Sequence, residues 1–226
     1  DGAHFVKQCQ RFGISFGELA RTVRAVRREL GSDLVSLPDR CVLIDRLGNL
    51  RREQAGASRW GIKLQRRISD VGSYARLWPR ARFIHIVRDG RDLAASHLVT
   101  VPDWGFKTIR EAARGWLDVV ARPHTVAPAG RYLEIRYEDM VTDLKGTTRT
   151  LTDFLGVEWH DSLLRHDAAG HSLFAHPWGH PAARAASRPV SPGQVGRYRS
   201  DLTRQQIAEF ESIAGAELAR LGYLTG

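Results

Sequence analysis

At 226 residues the chain is long enough for one domain with a substantial core. Hydrophobic residues make up 42% and charged residues 26%, an ordinary globular balance, and no apolar run approaches the ~20 residues needed to cross a bilayer. The formal net charge of +9 invites an anionic partner, but the basic residues are spread along the chain, and no zinc-finger, RNP-like or dense basic-aromatic motif supports nucleic acid.

Ser15 is placed to cap a helix, with Glu18 completing a capping box and Ile14 and Leu19 forming a hydrophobic staple. Leu19, Val23, Val26 and Leu30 follow at helical spacing, and Gly31 closes the helix. Arg21, Arg24, Arg27 and Arg28 between them read as a solvated face. Val42 to Leu50 fits either strand or helix, and Arg51 to Ser58 reads as loop. Trp60-Gly61-Ile62-Lys63 comes next. Ile68, Val71, Ala75 and Trp78 then describe an amphipathic helix ended by Pro79.

The stretch Arg82 to Ser96 organises the chain. Phe83 to Val87 is short, largely apolar and β-branched, the pattern of a strand covered on both faces in a parallel sheet. Asp89 is a good N-cap, and Gly90 lets the chain turn tightly into a helix. Arg88, Asp92 and Ser96 then fall near one line, since i, i+4 and i+8 share a helical face. An arginine fork and a hydroxyl thus converge at the carboxyl end of a strand, where open α/β sheets bind ligands and where a phosphate is well served. The alternative for the same residues is a surface ion-pair ladder.

A further helix is expected over residues 107–121 (Ile109, Ala112, Ala113, Trp116, Leu117, Val120), stopped by Pro123. Arg131 to Met140 alternates like a strand, with Leu133, Ile135 and Tyr137 on one face. A helix through Leu144, Leu151, Phe154 and Leu155 ends at Gly156. His160, His166, His171, His176 and His180 match no zinc spacing, so no metal is expected. Ser187 to Arg199 follows, a glycine-bearing basic loop whose backbone can approach a phosphate closely. Thr203 and Gln206 make a capping box for the last helix, with Leu202 and Ile207 as its staple and Gly222 as its stop.

Several of these stretches carry a resemblance. Trp78 to Ser96 resembles the 3′-phosphate signature of sulfotransferases that use 3′-phosphoadenosine 5′-phosphosulfate (PAPS); by position Arg88 and Ser96 would hold that phosphate. Arg136-Tyr137-Glu138-Asp139 resembles the family's strand whose tyrosine lies by the adenine, which implies Tyr137. Arg188-Pro189-Val190 with Val195-Gly196-Arg197-Tyr198-Arg199 resembles the C-terminal loop that closes over the nucleotide phosphates, which implies Arg188, Gly196 and Arg197. Trp60 to Lys63 resembles a short strand end feeding the active site, with Lys63 near the sulfuryl group. The endings Phe154-Leu155-Gly156 and Leu221-Gly222-Tyr223 also match.

The resemblance covers about residues 60–223 and omits the family's P-loop-like Pro-Arg-Ser-Gly-Thr-Thr element, whose amides hold the 5′-phosphosulfate. No stretch of this chain matches it, so the chain is expected to begin beyond that loop. What the resemblance implies is an α/β fold, a central parallel sheet flanked by helices, in one domain over residues 1–226 with a mobile loop at 165–195. It implies a PAPS-dependent transferase acting on a hydroxyl of a small-molecule acceptor, releasing 3′-phosphoadenosine 5′-phosphate (PAP) and needing no metal. The alternative is a non-catalytic nucleotide- or polyanion-binding module of the same fold. No nucleic acid or membrane partner is expected, and a homodimer is allowed. Two cysteines, Cys9 and Cys41, without metal spacing or disulfide framework, fit a cytoplasmic setting.

Overall fold

The computed structural model describes residues 2–64, 70–100, 105–165, 167 and 188–224. The histidines at 166, 171, 176 and 180, and most of the loop expected at 165–195, lie outside them. The chain divides into two compact units, the first running to Leu64 and the second taking the described residues from 70 onward.

The first unit is helical: α1 (Gly2–Arg11), α2 (Phe16–Leu30) and α3 (Leu37–Gln54). Ser15 caps α2 through the expected reciprocal box with Glu18, and Gly31 ends it in the left-handed conformation. The ambiguous stretch Val42 to Leu50 is helix within α3, which runs on through Arg51–Gln54, where the sequence reads as loop. Ser36 accepts from the Asp39 backbone, and a proline occupies the first turn, a helix start that the apolar run concealed. Cys9, Ile14, Leu19, Val26, Leu43 and Leu47 pack together at the centre of the unit. Trp60 to Lys63 is irregular chain rather than a strand end. Trp60 is drawn down by packing: its ring lies where a side chain at Gly48 would have to stand, a Cβ there falling 2.4 Å from the indole.

The second unit contains α4 (Val71–Leu77), β1 (Phe83–Val87), α5 (Gly90–Ala95), a π turn over Ser96–Thr100, α6 (Ile109–Val120), α7 (Pro123–Val126), β2 (Tyr132–Arg136), α8 (Tyr137–Thr142), α9 (Leu144–Leu155), a 3₁₀ turn over Asp161–Leu164, α10 (Tyr198–Asp201) and α11 (Arg204–Arg220). Among the described residues the sheet has two parallel strands, with Phe83 opposite Tyr132 and Val87 opposite Arg136. The expectation of a strand covered on both faces fails on one side. Phe83, His85 and Val87 are buried, but Ile86 is 48% exposed. Pro123 opens α7 after a two-residue turn, so α6 ends at Val120 without it.

Val87 at the end of β1 joins a core between α5, α6 and α11 in which Ala94, Ala112, Trp116, Phe210 and Leu218 are almost wholly buried. Gly90 serves this core. A Cβ there would fall 2.5 Å from the Phe210 ring and 2.6 Å from the Trp116 ring, so the glycine is needed for close packing of two aromatics rather than for the turn.

Arg91 ties the carboxyl end of β1 to the C-terminal helix. It donates to both Asp89 oxygens at 3.1 and 2.7 Å, to Glu211 at 2.6 Å and to the Tyr223 carbonyl at 2.9 Å. Burial alone would lower its pKa, but the Asp89 and Glu211 carboxylates raise it. Removing one partner of such a buried pair costs about 3–5 kcal/mol, because the other charge is left uncompensated.

Candidate functional site

The site forms where β1 ends. Three bonds fix the backbone there. Trp116 Nε1 donates to the Arg88 carbonyl at 2.9 Å, the Asp89 amide donates to Glu138 at 2.9 Å, and the Asp89 side chain accepts from the Arg91 amide at 2.9 Å. Glu138 is itself held by the Tyr223 hydroxyl at 2.7 Å. Burial, then the Glu138 carboxylate, pushes that phenol's pKa up, so it stays a donor.

Arg88 projects from this fixed end. Its guanidinium lies over the Tyr137 ring, 4.8 Å from the centroid. Nη2 donates to the Gln194 carbonyl at 2.6 Å and stands 3.7 Å from Asp92 Oδ2. Nε is buried and has no partner among the described residues. An arginine held by a π face, one carbonyl and the near carboxylate of Asp92, with a buried donor still unsatisfied, is suited to an anion.

Tyr137 reaches Arg88 from the first position of α8, not from a strand. β2 stops at Arg136, and Glu138 and Asp139 sit in the first helical turn, where acidic residues are favoured. Asp92 closes the other side. Its side chain is fully buried, and its two oxygens accept from the Gly196 amide at 2.8 Å and the Tyr198 amide at 3.0 Å. Gly196 takes φ +73°, a conformation that favours glycine.

The structure thus gathers Arg88, Tyr137 and Gly196, from segments far apart in sequence. Arg197 lies in the same loop, but its guanidinium is engaged by Asp201 at 2.5 and 2.7 Å and by Gln194 at 3.0 Å. Arg188 is exposed and has no side-chain partner among the described residues. Ser96 is half-buried at the junction of α5 and the π turn, and its amide bonds back to the Asp92 and Leu93 carbonyls. Lys63 is exposed and belongs to the first unit. Among the described residues, no group of three or more His, Cys, Asp or Glu side chains could hold a metal ion, and no helix is long and apolar enough to cross a membrane.

Sequence reasoning did not single out Trp116, Glu138 and Asp92 as parts of the site. Trp116 carried a signal: a tryptophan on a buried stripe needs an acceptor for its N–H. Asp92 carried a weaker one, as a carboxylate on the face that the arginine and serine share.

A family profile described as Sulfotransferase family matches residues 32–161. Protein-tyrosine sulfotransferase 1 of Danio rerio is 28% identical over 166 residues, 66% of this chain and 44% of that protein. Protein-tyrosine sulfotransferase 2 of Gallus gallus is 25% identical over 161 residues, 66% and 42% respectively. The chain spans less than half the length of these curated relatives. Among solved structures, the sulfotransferase domain from the curacin biosynthetic pathway superposes with a TM-score of 0.53 at 16% identity, covering 86% of this chain and 77% of that one. The sulfotransferase domain from the Synechococcus PCC 7002 olefin synthase gives 0.54 at 20% identity, covering 92% and 80%. These two likenesses establish the fold.

Proposed function

We propose a donor and a reaction for this chain, which belongs to the sulfotransferase family. The donor is PAPS, and the reaction is transfer of its sulfuryl group to a hydroxyl of an acceptor. One observation carries the reading. Arg88, fixed at a strand end, meets Tyr137 from the second strand's exit and the Gln194 carbonyl of the C-terminal loop, with a buried Nε left to donate. That donor set fits the 3′-phosphate of the nucleotide. Arg88 would hold it together with Ser96, and Arg188, Gly196 and Arg197 would line the phosphates from the loop.

In the reaction the acceptor hydroxyl gives its proton to a base and its oxygen attacks sulfur in line. A new S–O bond forms as the bond from sulfur to the bridging phosphate oxygen breaks. The products are a sulfate ester, PAP and the transferred proton. Lys63 is the residue proposed to stand near the sulfuryl group and stabilise its charge.

The acceptor is proposed to be a small molecule with a hydroxyl. A second reading, a tyrosine hydroxyl in a peptide, is favoured by the names of the relatives above. Incubation with ³⁵S-labelled PAPS, a panel of small phenols and alcohols, and a tyrosine-containing peptide separates the two. Label transferred to any of them supports the reaction and identifies the acceptor class. PAP binding without transfer to any acceptor would turn the reading toward a non-catalytic nucleotide-binding module.

A further inference from the structure

The Asp92 carboxylate spans two parts of the site that no local rule of the chain connects. It lies on α5, one turn beyond Arg88, and is completely buried. It spends both oxygens on backbone amides of the C-terminal loop, Oδ2 on Gly196 at 2.8 Å and Oδ1 on Tyr198 at 3.0 Å. Oδ2 also stands 3.7 Å from Arg88 Nη2. The Gln194 carbonyl that caps the same Nη2 at 2.6 Å is two residues before Gly196. A carboxylate accepting two amides holds both with charge-assisted bonds, so the loop backbone is pinned to α5, the helix that begins two residues after Arg88.

We propose that Asp92 is a positioning residue for the Arg88 anion site, setting where Gln194, Gly196 and Arg197 stand relative to the guanidinium. This rests on the donor reading given above. Asp92 makes no contact with the ligand in this proposal. It acts through the loop, and what it confers is discrimination of a nucleotide bearing a 3′-phosphate from one lacking it. Overall affinity for adenine nucleotides is carried elsewhere.

The test is the ratio of AMP to PAP dissociation constants, measured by calorimetry on the full chain. A variant that merely loses stability weakens both ligands alike and leaves the ratio unchanged. Asp92→Asn keeps the size of the side chain but turns an amide N–H toward one of the two loop amides, and it should lower the ratio tenfold or more with AMP affinity held within twofold. Gly196→Ala approaches the same bond from the loop. Its Cβ would fall 2.3 Å from a terminal nitrogen of the flexible Arg199 side chain, at a backbone conformation strained for any L residue. It should lower the ratio in the same direction, but Gly196 is itself proposed to line the phosphates, so Asp92→Ser, which keeps one acceptor oxygen, decides the matter if Asp92→Asn does not fold. A wild-type preference for PAP that survives in the folded variants overturns the role of Asp92. A wild-type protein with no preference for PAP overturns the donor reading itself, and the role with it.

Discussion

The guanidinium of Arg88 rests on the face of Tyr137, 4.8 Å from the ring centroid, although the two residues leave different strands. The arginine is therefore oriented before any ligand arrives, and its remaining donors are aimed by the tyrosine and by the Gln194 carbonyl.

Replacing Arg88 by alanine should weaken PAP binding by about 2–3 kcal/mol, the loss of a charge-assisted fork. Isothermal titration of PAP and AMP reads this directly. A dissociation constant for PAP that does not change removes Arg88 from the site.

Tyr137→Ala separates two roles for the ring. If the ring supports Arg88, PAP binding weakens by about 1 kcal/mol more than AMP binding, the size of a partly desolvated cation–π contact. A ring that only stacks on adenine costs both ligands the same. The geometry predicts the first result.

Gly90→Ala drives a methyl into two locked rings. Overpacking of this kind costs about 1–3 kcal/mol, and a lowered midpoint in urea titration would register it. Displacing Trp116 also disturbs the bond to the Arg88 carbonyl, so PAP affinity should fall in the folded fraction. Unchanged stability would mean that the core opens more readily than its packing indicates.

Acid should weaken the second unit through His85. Its ring is buried on β1, 2.7 Å from the Tyr132 hydroxyl and 3.8 Å from Glu134, whose carboxylate is held by Arg220 from α11. Burial lowers its pKa from 6.5 to about 4; Glu134 opposes the shift and Arg220 adds to it. The unfolded chain then binds a proton between pH 6.5 and about 4 that the folded chain does not bind. His85 thus contributes stability that is present above pH 6.5 and lost as pH falls through that window, by up to about 1.4 kcal/mol per pH unit. Urea titrations at pH 7 and pH 5 should show a larger loss for the wild type than for His85→Gln. Equal losses would remove His85 as the cause.

The elements that were legible in the sequence are those written locally. Ser15 with Glu18 and Thr203 with Gln206 form the capping boxes that their spacing requires. β1 spans Phe83–Val87, and Asp89 caps the helix after it. Where the reading erred, a second local signal competed. The apolar run from Val42 masks the cap at Ser36, and the strand read over Arg131 to Met140 overruns β2 by four residues, which open a helix instead. Asp92 was not legible as a brace because its partners lie 104 and 106 positions along the chain, and no periodicity encodes that pairing. The purpose of Gly90 was hidden for the same reason, since the Phe210 ring that excludes a side chain there comes from the last helix.

The most direct test of the donor assignment is a titration of the wild-type protein with PAP, AMP and ADP, followed by thermal shift. A stabilisation by PAP well above that by the other two is predicted, because only PAP carries the 3′-phosphate that the Arg88 cluster is proposed to hold. Equal shifts for all three nucleotides, or none, would contradict a 3′-phosphate site at the end of this strand.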